Sequence, residues 1–594
     1  MSFANLSRPR LMMRLTNLLA LCVFTASASA NPAFDTWADA FAADWVRLAP
    51  ESATQSQYFS GAEQDTVDRL LTPWTPARRQ RVIALAREGR EQLDLWLAGP
   101  LDPAQRISAA IIRRELENTL AGERFEDHRF VFNQLRGAHV LPVLFLTEFH
   151  PLRNAADVAS YLARLDQVAM RQDEGIARAR AAAARDLIPP RFIVERARGQ
   201  VAAFLEPAPE GNVLVTALAR RTESLADLSA EARAKAIAEA TRIVAERIRP
   251  AYVRVQAFLT ELLPRTTDAA GLSRLPDGAN AYAHALARYT TTALTAQEIH
   301  AIGLREVARI EAEMDRLLRQ LGHADGSVRE RMQAVGRANQ LPAEPDPRPA
   351  LLARYTEIVR DAERRSEALF NLKPRARVEV RRVPPLTEAT ASAYYSSPAP
   401  DGTRPGIFWV PMRGPVFSTL SMRSLAYHEA VPGHHFQLAI QQEQAGLPKF
   451  RSKRIFGGGS AHSEGWALYT ERLAIEQGWY EGDIPSLLGA LDAQLFRARR
   501  LVVDTGLHAK GWTRQQAIDY GIAASEVERY VAEPGQACSY MIGMLRILEV
   551  REKARAALGG KFALPAFHDA VLQTGSVPLD VLAEVIDQWI AAQR

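Results

Sequence analysis

From Phe34 to about Leu321 apolar residues recur at three- and four-residue spacing through Ala-, Leu-, Arg- and Glu-rich stretches, which predicts a succession of amphipathic helices. The clearest run over Arg78 to Leu97, Ala155 to Asp186, Ser229 to Leu263 and Thr295 to Leu321. The last opens on Thr295 and Glu298, a reciprocal capping pair, and closes at Gly322. Prolines at 189, 190, 207 and 209 interrupt the series, and no internal repeat is visible. Leu341 to Pro349, rich in proline and acidic residues, reads as a linker before one more helix from Ala350 to Asn371.

The texture then changes. Val378-Glu379-Val380 and Gly406-Ile407-Phe408-Trp409-Val410 read as strands of a small antiparallel sheet, separated by Tyr394, Tyr395 and the turn Asp401 to Gly406. An edge strand here would lie just ahead of the next helix, where an extended peptide could pair with it. The expected fold is mainly α, with this one small sheet.

At the N-terminus the pattern is of another kind. Arg8, Arg10 and Arg14 precede an apolar core from Leu15 to Ala26 and a small-residue exit at Ala28-Ser29-Ala30, the layout of a cleavable signal segment. Leu21 is too large for a lipoprotein cleavage site at Cys22, so a soluble periplasmic or secreted product is expected, cut after Ala30. Removal of that segment leaves Cys538 alone, and no intramolecular disulfide can form. No later apolar run spans a bilayer. A net charge of +5 over 594 residues, with Arg and Glu interspersed on helical faces, describes a solvated surface and argues against nucleic acid as a partner. The chain divides into residues 1–30, a helical region 31–270 and a metal-binding region 271–594, the last two expected to pack as one unit.

The candidate chemistry lies in His428-Glu429-Ala430-Val431-Pro432-Gly433-His434-His435, within a run from Ser418 to Gln442 that otherwise reads as one helix. It resembles the zinc-peptidase signature H-E-x-x-H, except that proline stands where the second His belongs. On an undistorted helix His434 would sit about 240° round from His428, and His435 in line with it but roughly 10 Å further along. Pro432 removes a backbone donor and Gly433 accepts almost any dihedral, so a bulge can return His434 to His428, with Glu429 beside the metal as its base. Glu464, opening a helix some thirty residues on, is the candidate third ligand. Glu471 shares its face two turns later and could orient a ligand or merely pair with Arg472 at the surface.

Together with Asp401 to Gly406, Glu464 to Arg472, Asp504 to Tyr520, Pro534 to Gly543, Gly271 to Thr292 and Glu298-Ile299-His300, the motif H-E-x-x-P-G-H-x-x-Q, met by His428, Glu429, Pro432, Gly433, His434 and Gln437, resembles the bacterial domain-of-unknown-function family 885. That resemblance puts the second imidazole at His434 and leaves His435 at a variable position. Its arrangement is similar to that of helical zinc peptidases with a deep channel. It therefore implies one Zn2+ on His428, His434 and Glu464, Glu429 as general base, and amide hydrolysis of oligopeptides. By the same analogy Tyr540 and His508 are candidates to stabilise the oxyanion. Arg404 in a tight turn, Tyr395 and Arg546 are candidate substrate contacts, each with a plain surface or packing alternative. Other amides, such as peptidoglycan fragments, and a non-catalytic peptide-binding role are the competing functions.

Overall fold

Local signals set most helix ends. In the computed structural model, which describes residues 30–342, 345–384, 388, 392–399, 404–414, 416–456 and 459–594, Thr75 caps Pro76–Ala98 and Asn154 caps Ala155–Ala183. Thr295 and Glu298 exchange the two hydrogen bonds of a capping box at the start of Ala296–Gln320. The stretch expected over Ser229 to Leu263 is Ala230–Ile243 continued, through a π turn at Val244–Ile248, into Arg249–Leu262. Pro250 explains the turn, because it has no N–H to donate to the carbonyl one turn back and the register widens before it. The expected signal segment through Ser29, residues 401–403 of the expected turn, and Gly457 and Gly458 lie outside the described residues.

The chain is mainly α, and its strands are few and short. Strand β1 (Gln340–Pro342), where a linker was expected, pairs antiparallel with β5 (Val416–Ser418). Strands β2 (Val378–Arg382), β3 (Tyr394–Ser396) and β4 (Gly406–Val410) form a second sheet in the order β2-β4-β3. This corrects the antiparallel expectation: β2 and β4 run parallel, because the connection between them contains β3, which pairs antiparallel on the far side of β4. Strand β4 is thus central, and β2 and β3 are the edges of this sheet.

Two hydrophobic cores hold the helices. One lies wholly between Leu71 and Leu262. The other joins Phe34 through Phe125 to the residues around the H-E-x-x-P-G-H motif and on to Ile590, so the first helices pack with the region that carries the motif as well as with one another. No described helix is long and apolar enough to cross a membrane.

Candidate metal centre

Proline and glycine do more than kink the expected Ser418–Gln442 helix: they end it. The His428 helix covers Met422–Glu429, and a second helix starts at His434 and runs to Glu443, with Ala430 to Gly433 as the turn and a cis bond before Pro432. A Cβ on Gly433 would lie 1.9 Å from the His428 carbonyl oxygen, so only glycine lets the chain fold back this tightly. Trp466, fully buried, donates its indole N–H to the Pro432 carbonyl at 3.0 Å and pins the turn. His434 becomes the first residue of its helix, facing His428 with the two rings edge to face and 4.9 Å between centroids.

Glu464 comes from the helix Ser460–Glu476, which crosses the helix Ser539–Leu558 at glycine on both sides. A Cβ on Gly465 would lie 2.5 Å from the Gly543 backbone, so this approach, next to Glu464, requires a bare backbone. His428 Nε2 and His434 Nε2 stand 3.4 and 3.5 Å from Glu464 Oε2, and the donor atoms of all three residues lie within 4.8 Å of one another. Tetrahedral zinc with donors at about 2.0–2.2 Å spaces them about 3.3–3.6 Å apart, and two neutral imidazoles with one carboxylate leave a fourth position open. The residues therefore fit such an ion.

The remaining atoms of the ligands are committed to orientation. His428 Nδ1 donates to Glu471 Oε1 at 2.7 Å, which turns Nε2 toward Glu464, and Ser424 donates to the other oxygen of Glu471. Glu471 is 1 % exposed, so the surface pairing with Arg472 is set aside. Arg497 Nη2 lies 3.9 Å from Glu471 Oε1, and Ser463 Oγ is 3.5 Å from His434 Nδ1. Sequence reasoning missed Ser424 and Arg497, although Ser424 precedes His428 by four residues on one helical face.

Burial opposes charge on His428, yet the hydrogen bonds to Glu464 and Glu471 raise its pKa to about 10. Burial likewise works against ionised Glu464, but the two imidazoles hold its carboxyl well below the usual range. Glu429, 7 % exposed, has its carboxyl pushed up by burial and by Glu464, against the pull of His428 and His434. A carboxylate pushed up in this way holds a proton more firmly than an exposed one, which suits a group that takes up a proton.

The other predicted residues divide. His508 is fully buried: Nδ1 accepts from the Leu272 N–H at 3.1 Å and Nε2 donates to the Tyr530 carbonyl at 3.1 Å, so neither nitrogen is left for an oxyanion and that expectation is corrected. Tyr540 stands on the helix that crosses at Gly465, half-buried beneath Arg500 at 4.6 Å. His435 is no ligand, since Nε2 is taken by the Ala376 carbonyl and Nδ1 accepts from Tyr395, a bond that ties β3 to the His434 helix. Arg404 is bonded to the Ser397 and Pro405 carbonyls of its own turn, and Arg546 pairs with Glu549 one turn away. A cavity of about 730 Å³ opens between Trp74, Arg178 and Glu533, and none of the three ligands lines it.

Comparison with known proteins places this geometry in a family. A crystal structure of a "putative lipoprotein" from Colwellia psychrerythraea is 30 % identical, with a TM-score of 0.84 over 93 % of this chain and 99 % of that one. A "putative lipoprotein of unknown function" from Shewanella oneidensis shares the fold at 20 % identity, with a TM-score of 0.70 over 94 % and 99 %. No curated protein matches. A family model described as "Bacterial protein of unknown function (DUF885)" matches residues 50–586, and the chain belongs to that family.

Proposed function

We propose that this protein is an exported zinc-dependent hydrolase that cleaves peptide bonds of oligopeptides. The observation that carries the proposal is the convergence of His428 Nε2, His434 Nε2 and a Glu464 oxygen on one point, each ligand being directed there. When bound, zinc supplies a polarising charge and acidifies the attacking water to a pKa of about 7. Glu429 takes that water's proton and later delivers it to the leaving amine. Glu471 holds the His428 ring in the tautomer whose Nε2 is free, with Arg497 balancing its charge. Tyr540, whose hydroxyl interacts with Arg529, is the remaining candidate donor for the oxygen that gains charge.

Binding alone would not require a base next to the first ligand, which favours a catalyst over a carrier. The deep channel implied by the family resemblance would restrict substrates to oligopeptides. A digest of a mixed peptide library by the purified protein, before and after chelation, tests the proposal. Cleavage that stops on chelation and returns with zinc is expected; intact peptides with fully loaded protein would overturn it.

A further inference from the structure

Beside the candidate metal centre two arginines share a single carboxylate. Arg500, on the helix Ile484–Ala509, donates Nε to the Tyr530 hydroxyl at 3.0 Å and Nη2 to Glu526 at 2.9 Å. Its Nη1 makes no hydrogen bond among the described residues. Arg529, on the helix Ala524–Ala532, is 3.4 Å from the same Glu526 and bonds Gln536 at 2.7 Å. The side chain of Arg500 is 6 % exposed and that of Arg529 25 %, so the surplus positive charge is largely withdrawn from water. Two guanidiniums thus face one carboxylate, Arg529 also interacting with the Tyr540 hydroxyl.

Two routes place this pair close to the ligands. Arg497 and Arg500 are one turn apart on the same helix, and Arg497 approaches Glu471, whose oxygen accepts from His428. By the other route Gln536, held by Arg529, donates to Ser460 Oγ at 3.1 Å, and Ser460 precedes Glu464 by one turn. A turn advances about 5.4 Å, which puts the pair roughly 10 Å from the ligand atoms. An extended peptide covers that distance in about three residues at ~3.3 Å each.

We propose that Arg500 and Arg529 form a carboxylate-binding subsite of the same cleft, so that the substrates are peptides with a carboxylate one to three residues from the bond cleaved, foremost a free C-terminus. This rests on the hydrolase reading above. A guanidinium fork matches a carboxylate in two parallel hydrogen bonds, and Arg500 and Arg529 offer donors from two directions. Tyr540 lies under Arg500, its ring centre 4.6 Å from the guanidinium.

The test offers the zinc-loaded protein three N-acetylated pentapeptides: a neutral sequence with a free C-terminus, the same sequence amidated, and the amidated sequence ending in glutamate. The free peptide is expected to exceed the amidated one in kcat/KM by about 30-fold or more, mainly through KM. Arg529→Gln should shrink the ratio to within about threefold, and Arg529→Lys should retain part of it. Recovery with the glutamate peptide would keep the carboxylate and assign it to a side chain as well as to the terminus. Equal use of all three by the wild type, or an unchanged ratio in Arg529→Gln, overturns the subsite. If no peptide is cut, calorimetry on Glu429→Gln decides separately: tenfold tighter binding of the free peptide sustains the subsite while the hydrolase reading falls, and equal binding removes the subsite too.

Discussion

Two buried polar clusters, one in each hydrophobic core, invite comparison. Against the core between Leu71 and Leu262, Arg164 is fully buried and each of its three nitrogens donates to a protein atom, Thr54, Val67 and Leu70 reaching it from the preceding segment. Nε goes to the Leu70 carbonyl, Nη1 to His150 Nδ1 at 2.8 Å, and Nη2 to Thr54 Oγ1 and the Val67 carbonyl, while His150 Nε2 donates to the Asp157 carbonyl. In the other core His428, His434 and Glu464 are also largely buried, but each turns one metal-binding atom toward those of the other two. Burial and perturbed protonation occur in both. What separates a staple from a site is the kind of atom that converges: Arg164 sets donors against acceptors, and the His–Glu cluster gathers three atoms of the types that bind metals.

The largest expected effect is one the two regions share. Burial depresses His139 and His150 in one core, and His508 and His568 in the other, to a pKa of about 4. The unfolded chain takes up these protons at about 6.5, so stability is present above that value and is lost as pH falls toward 4, by up to roughly 3 kcal/mol per imidazole. Denaturant midpoints measured from pH 7.5 to 4 should fall steeply across that window, and a flat profile would contradict the assigned neutral states.

Next in size, Glu429→Gln should lower kcat by about a thousandfold or more while zinc content stays full, as steady-state kinetics beside metal analysis would reveal. Arg164→Met breaks the closed cluster and should cost about 3 kcal/mol of stability, read from urea unfolding, with zinc content unchanged. Metal loss in that variant would mean that the two clusters are not independent. Glu471→Gln should weaken zinc binding by about tenfold to a hundredfold in a chelator competition. No change there would reduce Glu471 to packing.

The sequence disclosed the helices because their signals are local. Thr295 with Glu298, and Thr513 with Gln516, satisfy their own helix ends whatever lies around them. The sheet was harder: strand propensity marks Val378 and Gly406 but not whether they run parallel, which the intervening β3 decides. Within the site, the spacing of Pro432, Gly433 and His434 carried the break in the helix, and the position of Glu464 at a helix start marked the carboxylate that stands beside both imidazoles. His508 was misjudged because its partners, the Leu272 N–H and the Tyr530 carbonyl, are backbone groups that leave no mark in the side-chain pattern. Arg497 was lost among many arginines, since only the packing of its helix against Glu471 gives it a role.

The central claim is best tested by counting zinc in purified protein that has been offered the metal and then dialysed. One ion per chain is expected in the wild type and in Arg164→Met, and less than about a tenth of that in His434→Ala. A wild type that holds none, or a His434→Ala variant that holds as much as the wild type, would contradict the assignment.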